Sequence, residues 1–390
     1  MYRRSRITAL IITLLFVFGV VAGCGGGGTP TPQAEETIKI GFLGAKTGGH
    51  ASYGIETLKG MQMAVDDLNA AGGLLGKELA IVEDDHRSTG TEGANVTQKL
   101  ITEGVVAIVG DPTTGITKIA AEIAQGAGVV LMSAGAVGEG VVEIGDYIYR
   151  NTLLDRVGAP AVTKYLAEEL GWSKVALVTS TNNDYSVGLS KLFRDSLQVN
   201  NVEIVAEQSI QDGDQSFAAQ VTALKQNTFD GIIFTGYYTE GGLFMKEVRA
   251  QGLDHVMAGG DGLLSSVLWE LGEAAVEGSM VYTGFAVDLG GASPKTLEFI
   301  NKYQAEYGKL PDMFSAQGYD AVMLIADAIV AANSAAPADF KETLKLTADW
   351  EGVSGTITFG PDREPIKSPV YLLEVKDGDW AVKAVIPVDM

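Results

Sequence analysis

From residue 38 onward, short apolar runs alternate with longer stretches of helical period. Residues 38–43 (IKIGFL) alternate and then turn apolar, as a strand does. Residues 53–70 place Leu58, Met61, Val65 and Leu68 at helical spacing, and Gly72-Gly73 stops that segment. Residues 78–83 (ELAIVE) predict a second strand, 91–103 a helix and 105–109 (VVAIV) a third strand. A helix over 114–125 and a strand over 129–132 follow. This alternation predicts a parallel sheet with helices on both faces.

The beat then restarts. Helices are expected over 156–170, 186–199, 215–226 and 240–251, with strands over 174–178, 202–205, 231–235, 256–258 and 278–282. Two doubly wound units thus occupy 37–150 and 155–282. The remainder holds two successive helices, 294–307 and 315–333, and three strands, 356–359, 370–375 and 380–386. Asp377-Gly378 between the last two is a hairpin signal. Such a tail is a poor third domain, so it is expected to return and complete both units. The fold class is α/β, with two doubly wound parallel-sheet lobes joined by a multi-crossover hinge. The N-terminal lobe is expected to comprise 37–153 plus 284–355, and the C-terminal lobe 154–283 plus 356–390. A chain of 390 residues is long enough for both. In open α/β sheets ligands sit outside the carboxyl ends of the strands, and a hinge closes two lobes over that edge.

Residues 1–36 have a different pattern. Arg3, Arg4 and Arg6 precede an apolar stretch over 7–22, which is short for a membrane-spanning helix of about 20 residues. A small-residue site follows at once, so 1–23 read as a secretory signal peptide. Residues 25–36 (GGGGTPTPQAEE) have no apolar period and read as a flexible tether. Val21-Ala22-Gly23-Cys24 resembles a bacterial lipobox. That resemblance implies lipidation of Cys24, cleavage before it, and a mature chain of 24–36 tether followed by the folded part. The protein would then be extracytoplasmic and anchored to a bacterial membrane, on its periplasmic side or at the cell surface, since two acyl chains hold stably where one is marginal.

The formal charge of −21, with no Lys/Arg cluster after residue 6, argues against nucleic-acid binding. Cys24 is the single cysteine, so no intramolecular disulfide is possible. His50, His86 and His255 lie far apart, and no Cys/His spacing suits zinc. Residues 72–77 (GGLLGK) are one residue too short for a phosphate loop, and Glu78 stands where Ser or Thr would hold magnesium. Gly41, Gly44 and Gly48 have the wrong spacing for a dinucleotide fingerprint, and no G-x-S-x-G elbow exists. His86 follows Asp84 and Asp85, but no motif places a nucleophile near it; these residues are expected to end a strand and begin a loop. No catalytic residue, cofactor or metal is expected, and the architecture points to binding.

Five stretches, in order, carry a family resemblance: IKIGFLGAKTGGHASYG, GMQMAVDDLNAAGGLLGKEL, VAIVGDPTTG, FTGYYTEGG and FSAQGYDAVMLIADAI. Over residues 37–387 the chain resembles the type I periplasmic binding proteins of the leucine/isoleucine/valine class, which feed ABC importers. The resemblance implies a monomeric receptor for a small amino-acid-like zwitterion, working with a membrane permease. It implies a carboxylate partner at Thr114, with Thr113 and Pro112 beside it, where a helix start leaves N–H groups unpaired. It implies an ammonium partner at Asp261, helped by Tyr237. Tyr53, Tyr185 and Phe314 match aromatic wall positions. Gly135 matches a backbone contact, and Val137 stands where the family has a threonine hydroxyl. That departure keeps open a ligand such as an amide, an aromatic acid or urea, or a sensor role; a shifted match would bring in Ser133. Asp155 is expected to cap a helix away from the ligand. The family's disulfide is absent, with His86-Arg87 in that region.

Overall fold

The computed structural model describes residues 37–288 and 290–388. Cys24, the signal peptide and the tether lie outside the described residues.

The first sheet grows from β1 (Ile38–Gly44), α1 (Ala51–Ala70), β2 (Leu79–Asp85), α2 (Gly90–Thr102), β3 (Ala107–Gly110), α3 (Thr114–Ala127), β4 (Val130–Ser133) and β5 (Ile148–Arg150). Its order is β2-β1-β3-β4-β5, with every pair parallel. Helices on both faces explain why β3 and β4 are buried at every position. The second sheet uses α4 (Asp155–Glu168), β6 (Lys174–Ser180), α5 (Asp184–Val199), β7 (Glu203–Ile210), α6 (Ala218–Leu224), β8 (Gly231–Thr235), α7 (Tyr238–Ala250), β9 (Met257–Gly259), α8 (Ser266–Gly272) and β10 (Met280–Thr283).

The tail contributes to both. α9 (Pro294–Tyr307), α10 (Met313–Ala332) and α11 (Pro337–Leu344) come first, then β11 (Trp350–Gly352), β12 (Gly355–Phe359), β13 (Pro365–Ile366), β14 (Val370–Lys376) and β15 (Asp379–Ile386). β14 and β15 extend the second sheet to the order β15-β14-β10-β9-β8-β6-β7. They form the expected hairpin: Asp377 (φ 53°) and Gly378 (φ 80°) are both left-handed, as a two-residue turn between twisted strands requires.

Residues 356–390 do not act as one block. β12 pairs with β11 on one side and β13 on the other in a separate three-stranded sheet, and their neighbours belong to the first sheet. Phe359 packs on Tyr149 at 5.5 Å between ring centroids, and the Arg150 side chain forms a buried ion pair with Glu364. The tail therefore crosses after β13 rather than before β12. Counting the passages after β5 and after β10, the chain passes between the sheets three times. Asn151 donates to the Gln317 carbonyl at 2.9 Å, and Gln317 donates to Thr152 at 3.1 Å, fixing the first of them.

α10 is apolar enough to cross a membrane by length and composition, but its apolar surface is buried against α1 and the first sheet. The contact is close: a Cβ on Gly60 would stand 1.9 Å from the Ser315 carbonyl oxygen, and one on Gly318 2.3 Å from that of Thr57.

Candidate functional site

The carboxyl edges of the two sheets face each other, and the loops leaving them enclose one small cavity. It is lined by Tyr53, Pro112, Thr113, Thr114, Gly135, Val137, Tyr185, Tyr237, Asp261, Gly262 and Phe314. The ten residues expected from the sequence are thus brought together, and Gly262 joins them. The space is about 10 Å³, room for roughly one water. The cleft is drawn shut, so a larger guest enters only when the sheets part.

On the first sheet, Tyr53 lies in the first turn of α1, Pro112–Thr114 follow β3, and Gly135 and Val137 follow β4. Thr113 is the N-cap of α3, yet its side chain makes no capping bond. Its hydroxyl instead donates to Asp111 Oδ1 at 2.5 Å. Thr114 is the first helical residue, and its hydroxyl accepts from the Gly138 N–H at 3.1 Å. That hydroxyl keeps its own proton to donate, and the N–H groups of the first turn of α3 stand beside it. An anion is the chemical complement of such an arrangement.

On the second sheet, Tyr185 lies in the first turn of α5, Tyr237 is the N-cap of α7, and Asp261-Gly262 follows β9. Asp261 is 5% exposed. Burial, with the Asp155 carboxylate adding to it, pushes its pKa well above the usual range. A cation is what such a carboxyl lacks. Tyr185 stacks on Tyr237 at 5.2 Å, and Tyr53 packs against Phe314 at 4.5 Å. Burial holds all three tyrosine hydroxyls well above their ordinary pKa, so they stay protonated.

Gly262 was not singled out from the sequence because its contribution is backbone alone. Its N–H donates to the Tyr185 hydroxyl at 3.1 Å, and its carbonyl accepts from the Tyr53 hydroxyl across the cleft. Two expectations need correction. Asp155 is not a cap: Leu154 holds that position, and Asp155 is fully buried in the first turn of α4, accepting from the Tyr282 hydroxyl at 2.6 Å. Ser133 is not available to a ligand, because its hydroxyl donates to the Asp111 carbonyl at 2.7 Å and accepts from the Ala136 N–H at 3.0 Å. Val137 does line the cavity, and its carbonyl accepts from Asp155 N–H at 3.3 Å.

Residues 37–379 match the family model described as periplasmic binding protein. The chain is 28% identical over 311 residues to the leucine-specific-binding protein of Salmonella typhimurium, covering 80% of this chain and 83% of that one. A crystal structure of a leucine binding protein from Thermotoga maritima superposes with a TM-score of 0.85 at 30% identity, over 90% of this chain and 99% of that one. The branched-chain amino acid transporter substrate binding protein of Streptococcus pneumoniae, solved in complex with isoleucine, gives 0.84 at 35% identity, with the same 90% and 99% coverage.

Proposed function

The chain belongs to the periplasmic binding proteins, in their type I leucine/isoleucine/valine class, and from that premise we propose that it is the extracytoplasmic receptor of an ABC importer for a small apolar amino acid. It carries its ligand unchanged to a membrane permease and catalyses nothing. The ligand docks first on the first sheet, its carboxylate taken by the Thr114 hydroxyl and the N–H groups at the start of α3. Closure then brings Asp261 and Tyr237 to the ammonium, with the Gly135 carbonyl completing its shell. The apolar side chain lies among Tyr53, Tyr185, Phe314, Pro112, Thr113 and Val137. Cys24 carries the lipid that holds the receptor, a monomer, at the membrane, on the tether formed by 24–36.

One observation carries this reading: unpaired helix N–H groups and a buried acid face one cavity walled by aromatic rings. The relatives named for leucine and solved with isoleucine support the choice of side chain. Isothermal titration against the twenty amino acids tests it, with leucine, isoleucine or valine expected to bind and a lack of binding by every zwitterion counting against it. Val137 favours a second reading, in which the same cleft takes an amide or an aromatic acid. Asp261→Ala separates the two. A ligand with an ammonium loses about 10- to 150-fold in affinity, the worth of a charge-assisted contact of about 1.5–3 kcal/mol. A ligand without one keeps its affinity.

A further inference from the structure

The first-sheet half of the cleft is built from three separate loops: residues 45–53 after β1, 111–114 after β3 and 133–138 after β4. None of these is covalently tied to another. A fourth loop, Asp85–Ser88 at the end of β2, contributes nothing to the cavity wall, yet its side chains bond directly to the first two and, through Asp111, to the third. Asp85 accepts from the Lys46 N–H at 2.8 Å and from the Thr47 hydroxyl at 2.7 Å. Ser88 accepts from the His50 N–H at 3.0 Å. These bonds hold the segment that leads into Tyr53.

His86 reaches the second of these loops. It is 0% exposed, and its Nε2 meets Asp111 Oδ2 at 2.5 Å; Asp111 is 1% exposed. The other carboxylate oxygen of Asp111 takes the Thr113 N–H at 2.6 Å and the Thr113 hydroxyl at 2.5 Å. Its carbonyl takes the Thr117 hydroxyl at 2.9 Å and the Ser133 hydroxyl at 2.7 Å. Asp111 is therefore the node from which the β3–α3 turn and the β4 loop both hang, and His86 is what anchors that node to the sheet. Arg87 (φ 53°) and Ser88 (φ 60°) are consecutive left-handed residues other than glycine, a conformation that persists only where surrounding bonds over-determine it.

On the reading of the cleft just given, we infer that His86 is a positioning residue for the carboxylate end of the site: through Asp111 it sets the placement of Thr113, Thr114 and the Gly135–Val137 loop without touching the ligand. A histidine suits this role because an imidazole ring is rigid and spans from strand end to strand end, where a short polar side chain could not. Burial alone would lower its pKa, but the Asp111 carboxylate outweighs that and raises it, which favours the bonded N–H.

Hydrogen exchange of the ligand-free full chain and titration with L-leucine test this together, on His86→Ala and His86→Gln. Glutamine keeps an N–H donor at nearly the reach of Nε2. His86→Ala is expected to speed exchange in 111–117 and 133–138 while leaving β6 and β8 unchanged, and to weaken leucine by about tenfold, the worth of one buried hydrogen bond. His86→Gln is expected to recover most of both. Should His86→Ala not fold, His86→Asn, whose amide stops short of Asp111, takes its place. Unchanged exchange in those two segments overturns the inference, as does a glutamine variant no better than alanine or exchange that speeds throughout the chain. If the wild type binds no amino acid, the proposed function fails, and the exchange result still decides the role of His86.

Discussion

Asp155 and Asp261 are both buried acids, and among the described residues neither forms an ion pair. Burial pushes Asp155 up to about 7, even though the Tyr282 hydroxyl and the Arg150 charge pull the other way. The folded protein thus takes up a proton near pH 7 that the unfolded chain takes up only near pH 4. Between those values the native state binds more protons, so stability rises as pH falls from about 7 towards 4 and is lost again as pH climbs. Asp155→Asn keeps the bond from Tyr282 and removes the charge. Its melting temperature is expected to exceed that of the wild type at pH 8, with the gap closing at pH 5; a constant gap would contradict the assignment. At this scale the residues that line the cavity were legible through the family resemblance, which picked out Thr114 and Asp261 by the motifs they stand in. The supporting shell was not. His86 and Asp111 are 25 residues apart in sequence, and only the parallel order of β2, β1 and β3 brings their strand ends together. Asp155 looked like a cap because helix starts favour aspartate, and nothing local signals that this one is buried.

Among elements, the helix pair α1 and α10 fixes the aromatic wall, since Tyr53 and Phe314 sit in their first turns. Gly60 and Gly318 permit the approach. Gly318→Ala forces the helices apart at Thr57 and is expected to destabilise the protein by about 1–3 kcal/mol, read from the midpoint of urea unfolding. It is also expected to weaken ligand binding by separating Tyr53 from Phe314. The long elements were readable from period alone, as the hairpin of β14 and β15 was from its turn. β5, β11 and β13 were not, because two or three residues are too few to show a period. They matter for the crossing point: missing β13 misplaced the expected return of the chain by two of the three strands of the small sheet.

Across the whole molecule, the closed cleft is held by a rim of bonds between the two sheets' loops. Ser265 donates to Ser52 at 2.8 Å, Ser52 N–H donates to the Tyr238 hydroxyl at 3.2 Å, Thr239 donates to the Gly49 carbonyl at 3.2 Å, and Lys118 pairs with Asp184 at 3.3 Å. None of these residues lines the cavity, so they bias opening without touching a guest. Ser265→Ala combined with Thr239→Ala is expected to enlarge the radius of gyration seen by solution scattering of the ligand-free protein. Affinity is expected to fall about two- to tenfold as the closed population shrinks. Three chain passages between the sheets make such a hinge motion the natural one, and that much followed from a tail too small to be a domain.

On the function proposed above, a zwitterion is gripped at both poles, one from each sheet, and titration of leucine beside its two one-pole analogues separates the two grips. Isoamylamine lacks the carboxylate and 4-methylpentanoate lacks the ammonium, while both keep the side chain. Leucine is expected to bind at least about tenfold more tightly than either, each analogue leaving one buried partner unmet. Binding of 4-methylpentanoate as tight as that of leucine would contradict the role given to Asp261 and the account built on it.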